Sequence, residues 1–196
     1  MSSVRDIVSA VERGELVVIP TDTVYGLACR PDHEDAVRAL STLKRRSTEQ
    51  PIALVAASAE MLAELIPELP AQLLLRGAFT LVVSNPAQRL PWLAGGRADT
   101  IGVRIPDVEG LAADFLARVG VVAATSANLH GGPDPRRLED VPEEILDGVA
   151  AVLDGGELPG TPSTVLDLTG PEPRVLREGA VPAAEALTRI AEAVRQ

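Results

Sequence analysis

Cysteine, histidine, aromatic residues and lysine are all scarce in this chain, and each scarcity closes off some chemistry. The single cysteine, Cys29, cannot form an internal disulfide or a Cys-based zinc site, and its apolar surroundings mark it as buried filler. His33 and His130 are the only histidines, and neither stands in an HExxH pattern. That removes the usual histidine zinc site and leaves little from which to build a Ser-His-Asp triad. Tyr25, Phe79, Trp92 and Phe115 are the only aromatics, too few for a single-strand binder built on stacked bases. Neither a GxxxxGK[ST] loop nor a GxGxxG turn occurs, so a bound nucleotide would not rest on the common phosphate loops. The longest apolar runs, such as Ile52 to Ala57, are too short to cross a bilayer. Charged Arg5, Asp6, Glu12 and Arg13 break up the first apolar stretch, so no targeting segment and a cytoplasmic location are expected.

What is present is the composition of a globular protein. Over 196 residues, 46% hydrophobic and 23% charged residues suffice for a sizeable core, read here as one domain over 1–196. The net charge of −10 disfavours a general nucleic-acid coat protein but leaves room for a local basic cleft. Among 18 basic residues only Lys44 is a lysine. In so arginine-biased a chain, a surviving lysine marks a candidate position where a planar guanidinium will not replace a compact ammonium.

Apolar spacing and punctuation divide the chain into short elements. Ser3 to Arg13 reads as a serine-capped amphipathic helix, and Leu16 to Ile19 as a buried strand stopped by Pro20. A second helix opens at Asp32 or His33 and carries Lys44, Arg45 and Arg46 in its last turn. Further helices are expected from Ser58 to Ile66, from Pro70 to Gly77, over Val108 to Val119, near Pro142 to Leu146 and from Pro182 to Val194. Strands are expected at Ile52–Ala56, Phe79–Val83, Thr100–Arg104, Val121–Thr125, Ala150–Leu153, Thr164–Leu168 and Arg174–Leu176. This alternation predicts an α/β fold. The later strands follow one another too closely for helical crossovers, so the sheet should be mixed.

Polar clusters fall at the ends of these strands. Thr21-Asp22-Thr23 follows the first, Lys44-Arg45-Arg46 precedes another, and Arg104 ends a third. Thr125-Ser126-Ala127-Asn128, Pro162-Ser163-Thr164 and Arg177 complete the set. Each has a plain reading: Thr21 and Asp22 as turn caps, the basic trio as complement to a helix C-terminus, Ser126 and Asn128 as turn formers. Ligands of open α/β sheets gather at strand ends, and six such clusters could converge on one cleft.

Taken together these segments resemble the YrdC/Sua5 family of threonylcarbamoyl-adenylate synthases. Val17 to Leu27 (VVIPTDTVYGL) resembles its most recognisable segment, and Lys44-x-Arg46 followed by Pro51 its KxR…P element. Thr100 to Pro106, Thr125-Ser-Ala-Asn128, Ser163-Thr164-Val165 and Arg177-Glu-Gly179 resemble its arginine-bearing strand, SxN motif, STV element and RxG turn. The family's PGPxT segment appears as Arg76-Gly77-Ala78-Phe79-Thr80, without either proline. YciO-type paralogues tend to lack the SxN element, which this chain keeps.

The resemblance implies a YrdC-like fold, a twisted mixed sheet flanked by helices with a basic ligand cleft at strand ends, in the short form without an added C-terminal domain. It implies the formation of threonylcarbamoyl-AMP and pyrophosphate from L-threonine, bicarbonate or CO2, and ATP. A transferase complex downstream would pass the threonylcarbamoyl group to tRNA, and weak tRNA contact is a further expectation. Lys44 and Arg46 would then be catalytic and hold phosphate and carbamate charge. Arg104, Thr23 and Ser163 would hold threonine, Arg104 by its carboxylate, while Ser126, Asn128 and Arg177 join Lys44 and Arg46 on the nucleotide. Mg2+ would accompany ATP without identifiable protein ligands, and Arg45 would face solvent. The alternatives are a YciO-like paralogue with altered nucleotide chemistry and a non-catalytic RNA-binding module.

Overall fold

Ser3 fulfils the role its position predicts. Its hydroxyl accepts from the Asp6 amide at 3.2 Å while the Asp6 carboxylate accepts from the Ser3 amide at 3.0 Å, a reciprocal cap that starts helix α1 (Val4–Glu12). The computed structural model describes residues 2–195, and the elements it contains largely follow the apolar punctuation of the sequence. The other helices are α2 (Glu34–Leu43), α3 (Ala59–Leu65), α4 (Gly110–Val119), α5 (Glu143–Asp147) and α6 (Ala183–Val194).

Strands β1 (Val17–Ile19), β2 (Gly26–Cys29), β3 (Ala53–Ala56), β4 (Phe79–Ser84), β5 (Thr100–Arg104), β6 (Val121–Ser126), β7 (Ala151–Val152), β8 (Thr164–Asp167) and β9 (Arg174–Arg177) form one sheet. Their order is β7-β1-β2-β6-β3-β5-β4-β8-β9. Pairs β1–β7, β3–β5 and β4–β8 are parallel and the remaining five antiparallel, so the sheet is mixed as expected.

Three local expectations need correction. Strand β2 has no counterpart among the expected strands: Gly26 to Cys29 is short and apolar throughout, with no alternation to reveal it, because both its faces are buried. Pro70 to Gly77 is not a helix but a single 3-10 turn over Ala71–Leu73. Beyond that turn the backbone finds partners across the sheet, with Arg76 bridging to Ile105 and the Gly77 amide donating to the Ile105 carbonyl at 2.8 Å. The basic trio does not form the last turn of α2. The helix ends at Leu43, Lys44 caps it, and Arg45 takes a left-handed conformation at φ 56°. The Arg46 amide reaches back to the Ser41 carbonyl and the Arg45 amide to that of Thr42, a Schellman-type ending in which arginine stands where glycine is usual.

Side chains alternate between the two faces of the sheet. On one face Val18, Leu27, Leu54, Leu81, Val103, Ala123 and Leu166 join the main core beneath α2, α3 and α6. On the other face Val17, Ile19, Ala28, Val55, Val122 and Ala124 lie in a smaller core with Ile7 and Val11 of α1 and Phe115 and Leu116 of α4. These two helices do not extend over β5, β4 and β8, and beside them this face is left open.

Candidate active site

The uncovered part of the sheet is a cavity of about 300 Å3. Its floor is nearly free of side chains. Ala124 pairs with Ala53, and a Cβ placed on Gly102 would lie 3.4 Å from that of Ala53, so three neighbouring strands contribute only methyl groups and a hydrogen. The next strand position is Val82, opposite Gly102. The expected strand-end clusters form the rim of this trough: Thr21 and Thr23 after β1, Arg46 and Pro51 before β3, Arg104 ending β5, Thr125 and Ser126 ending β6, Ser163 before β8 and Arg177 ending β9.

The lining holds three arginines, Arg46, Arg104 and Arg177, and no carboxylate. In a chain of net charge −10 that is a concentrated anion site. Arg46 donates to the Thr125 hydroxyl at 3.2 Å and the Pro51 carbonyl at 2.9 Å, and its buried Nε has no partner. Arg104 forms a buried ion pair with Asp22 and donates to the Thr23 hydroxyl at 3.0 Å; its Nε is likewise buried and unpaired. Burial pulls both guanidiniums below their ordinary pKa, and for Arg104 the charge of Asp22 opposes this. Such unfinished donors are what an incoming anion can complete.

Arg177 is fixed by backbone. Its Nε and Nη2 donate to the Ser163 carbonyl at 3.0 and 2.8 Å, and Nη2 also lies 3.2 Å from the Ser163 hydroxyl. The return of the chain that allows this requires Gly179, because a Cβ there would meet the backbone of Ser163 at 2.5 Å and of Thr164 at 2.6 Å. The buried Ser163 hydroxyl in turn lies 3.0 Å from that of Thr80, and Thr23 is 3.0 Å from the Thr21 hydroxyl.

Thr23, Arg46, Arg104, Ser126, Ser163 and Arg177 therefore share one cavity, whereas Lys44 and Asn128 stand behind its wall. The Lys44 ammonium, expected on phosphate, donates instead to the Ser126 carbonyl at 2.6 Å, the Asn128 carbonyl at 2.8 Å and Asn128 Oδ1 at 2.5 Å. Burial first and then the charge of Arg46 pull its pKa down to about 8, against the opposing charge of Asp134. Arg45 is exposed, as expected, and pairs with Glu144 at 2.7 Å.

Several members of the site play parts that the strand-end runs alone do not assign. Asp22, read as a turn former, is the counter-ion of Arg104 and also accepts from the Asp107 amide at 2.9 Å. Thr80 and Thr125 supply rim hydroxyls, and Gly102 the open floor. The alternation Thr100, Gly102, Arg104 along one strand was a usable signal, since it places the glycine on the face of the arginine. Cys29 is buried and its thiol is pushed up to about 12 by that burial, in keeping with a packing role. Among the described residues no three or more His, Cys, Asp or Glu side chains gather into a metal site, and no helix is long and apolar enough to cross a membrane.

Comparison with known proteins places this geometry in a wider set. The model of the Sua5_yciO_yrdC family, described as "Telomere recombination", matches residues 9–179. A Mycobacterium tuberculosis protein is 38% identical over 181 residues, 89% of this chain and 82% of its own. The threonylcarbamoyl-AMP synthase of Vibrio parahaemolyticus is 32% identical over 189 residues, covering 91% of this chain and all of that one. Among solved structures, Pyrococcus abyssi Sua5 complexed with L-threonine superposes with a TM-score of 0.86 at 34% identity, over 96% of this chain and 57% of that one. This chain thus spans little more than half of the archaeal protein. Escherichia coli YciO shares the fold, with a TM-score of 0.80 at 24% identity over 93% of this chain and 91% of its own.

Proposed function

The chain belongs to the Sua5/YciO/YrdC family, and from that membership and the cleft we propose that it is an L-threonylcarbamoyladenylate synthase acting in the cytoplasm. The observation that carries the reading is the cavity wall: three arginines, no carboxylate, and hydroxyls of Thr23, Thr80, Ser126 and Ser163 around a floor of small apolar residues centred on Gly102, Ala53 and Ala124. It is the size of a small-molecule site, and its charge suits reactants that are all anionic or carry a carboxylate.

In the proposed reaction the threonine amine forms an N–C bond to bicarbonate-derived carbon with loss of water. An oxygen of the resulting carbamate then bonds to the α-phosphorus of ATP as the bond to the β-phosphate oxygen breaks and pyrophosphate leaves. No enzyme nucleophile is required, which suits a site with neither a reactive thiol nor a histidine in its lining. Catalysis is then chiefly positioning and charge: holding reactants in line is worth roughly 7–11 kcal/mol of barrier, and fixed cations stabilise charge that develops on phosphate oxygens.

Arg104 would complete its unfinished fork with the threonine carboxylate, while Thr23 and Ser163 hydrogen-bond the remaining polar groups of the amino acid. Arg46 and Ser126 would face the phosphates, with Arg46 as the group nearest the developing charge, and Arg177 would lie along the nucleotide. Lys44 and Asn128 support this side from behind the wall. Magnesium enters as part of the substrate, MgATP, held mainly by phosphate oxygens. The product would pass to a transferase complex acting on tRNA. Incubation with MgATP, L-threonine and 14C-bicarbonate should yield a labelled adenylate together with pyrophosphate. Release of ADP, or an unlabelled adenylate, would overturn this assignment.

A further inference from the structure

Four oxygens surround the ammonium of the chain's single lysine, and all belong to Ser126 and Asn128: the two carbonyls, Asn128 Oδ1, and the Ser126 hydroxyl at 3.3 Å. An ammonium has three protons, so none is left over for a ligand in this arrangement. The orientation of the Asn128 amide is set independently, because Nδ2 donates to the Gly132 carbonyl at 2.6 Å. Oδ1 must therefore be the atom facing Lys44 and Ser126. It accepts the Ser126 hydroxyl proton at 2.7 Å, and this is the only proton that hydroxyl has. Ser126 lines the cavity, yet with its proton committed to Asn128 it can only accept there, whereas a phosphate oxygen needs a donor.

We propose that Lys44 is a positioning residue that frees Ser126 to donate to the nucleotide. When an anionic oxygen arrives, the Ser126 hydroxyl turns its proton to the ligand, and Asn128 Oδ1 stays satisfied because the ammonium already donates to it. Without Lys44 the same turn would strand a buried amide oxygen, at the cost of an unmade hydrogen bond. The ending of α2 makes the arrangement possible. The left-handed turn at Arg45 sends the two flanking cations apart, Arg46 into the cavity wall and Lys44 behind it, and the His130 amide ties the Lys44 carbonyl to the same loop at 2.9 Å. A compact ammonium reaches oxygens of two residues clustered around one point, which a planar guanidinium fork does not match. The proposal rests on the nucleotide reading of the cleft.

A double-mutant cycle on MgATP binding, followed by calorimetry, tests it. Ser126→Ala should weaken binding about tenfold in the parent chain, the loss of a hydrogen bond to a charged group. In the Lys44→Met background, where the serine proton is locked on Asn128, the same change should alter affinity by less than about twofold. L-threonine affinity in Lys44→Met should likewise stay within about twofold of the parent. Independent losses that multiply in the double variant would mean that Lys44 meets the ligand itself, and would overturn the relay. Because the chain has one lysine, 15N-lysine and 13C-carbonyl labelling offers a second test that needs no variant. Couplings from Nζ to the Ser126 and Asn128 carbonyl carbons should survive saturation with MgATP, and their disappearance would contradict the proposal. If the parent chain binds no ATP, the functional reading fails and the relay with it. An additive cycle in a chain that does bind ATP overturns the relay alone.

Discussion

Arg104 of the cleft wall forms an ion pair with Asp22, which is not itself among the lining residues, and each side chain is only 9% exposed. Neither strand β5 nor the turn after β1 holds this contact by itself; it joins two rims of the site across 82 residues of chain. Asp22 supplies one carboxylate to Arg104, and the proposed substrate supplies another. Removing one partner of a buried pair costs about 3–5 kcal/mol because the other charge is stranded. Asp22→Asn should therefore melt well below the parent, and L-threonine should recover more stability in the variant than it adds to the parent. L-threoninol, which lacks the carboxylate, should recover little. Thermal melts with each ligand check this, and equal recovery by both compounds would contradict a carboxylate clamp.

The floor of the cavity makes a separate prediction. A methyl group on Gly102 meets Ala53 at ordinary contact distance, so Gly102→Ala should fold and bind nearly as the parent does. Gly102→Val would stand branched carbons in the trough itself. It should reduce affinity for threonine or ATP more than about tenfold while leaving the main core, on the opposite face, intact. Calorimetry alongside a melt separates the two effects, and a loss of folding in both variants would show that the glycine serves packing alone.

Much of this site could be read from the chain, and what could not has physical causes. The rim was legible because strand ends carry their polar residues in short runs: Thr21 to Thr23, Thr125 to Asn128, and Ser163 with Arg177. The divergence of Lys44 and Arg46 was hidden, since it depends on Arg45 adopting a conformation for which nothing in an arginine argues. Asp22 could not be matched to Arg104 because their pairing depends on the sheet order, with β6 and β3 lying between β2 and β5. Strand β2 escaped for want of alternation. The run Leu73-Leu74-Leu75 after Pro70 favours helix locally, and tertiary pairing of Arg76 and Gly77 with Ile105 overrides that preference.

Asp167 should govern acid stability at the far side of the sheet. Burial alone would push its carboxyl up, but the Thr169 hydroxyl and amide, Arg97 at 2.8 Å and Arg174 at 2.6 Å outweigh this and hold it well below the usual carboxylate range. A depressed folded-state pKa stabilises fully above the unfolded value of 3.8 and is lost as pH falls below it. Asp167→Asn should cost roughly 2–4 kcal/mol near neutral pH, and the gap between parent and variant should begin to narrow as pH falls below 3.8, without closing until pH passes the depressed folded-state pKa. Urea unfolding across that range measures the difference; a gap independent of pH would contradict the assignment.

Cys29 gives a simpler check. With the side chain buried and the thiol pushed up to about 12, the native protein should not react with a disulfide reagent at pH 8, and unfolding should expose one thiol per chain. Prompt reaction of the folded protein would show that β2 is not packed as described.

The most direct test of the central claim is pyrophosphate release from MgATP by the purified protein, with L-threonine and bicarbonate each withheld in turn. The account predicts release only when both are present, and loss of that release in Arg104→Ala at threonine concentrations that saturate the parent. Pyrophosphate or phosphate release that continues without threonine would contradict it.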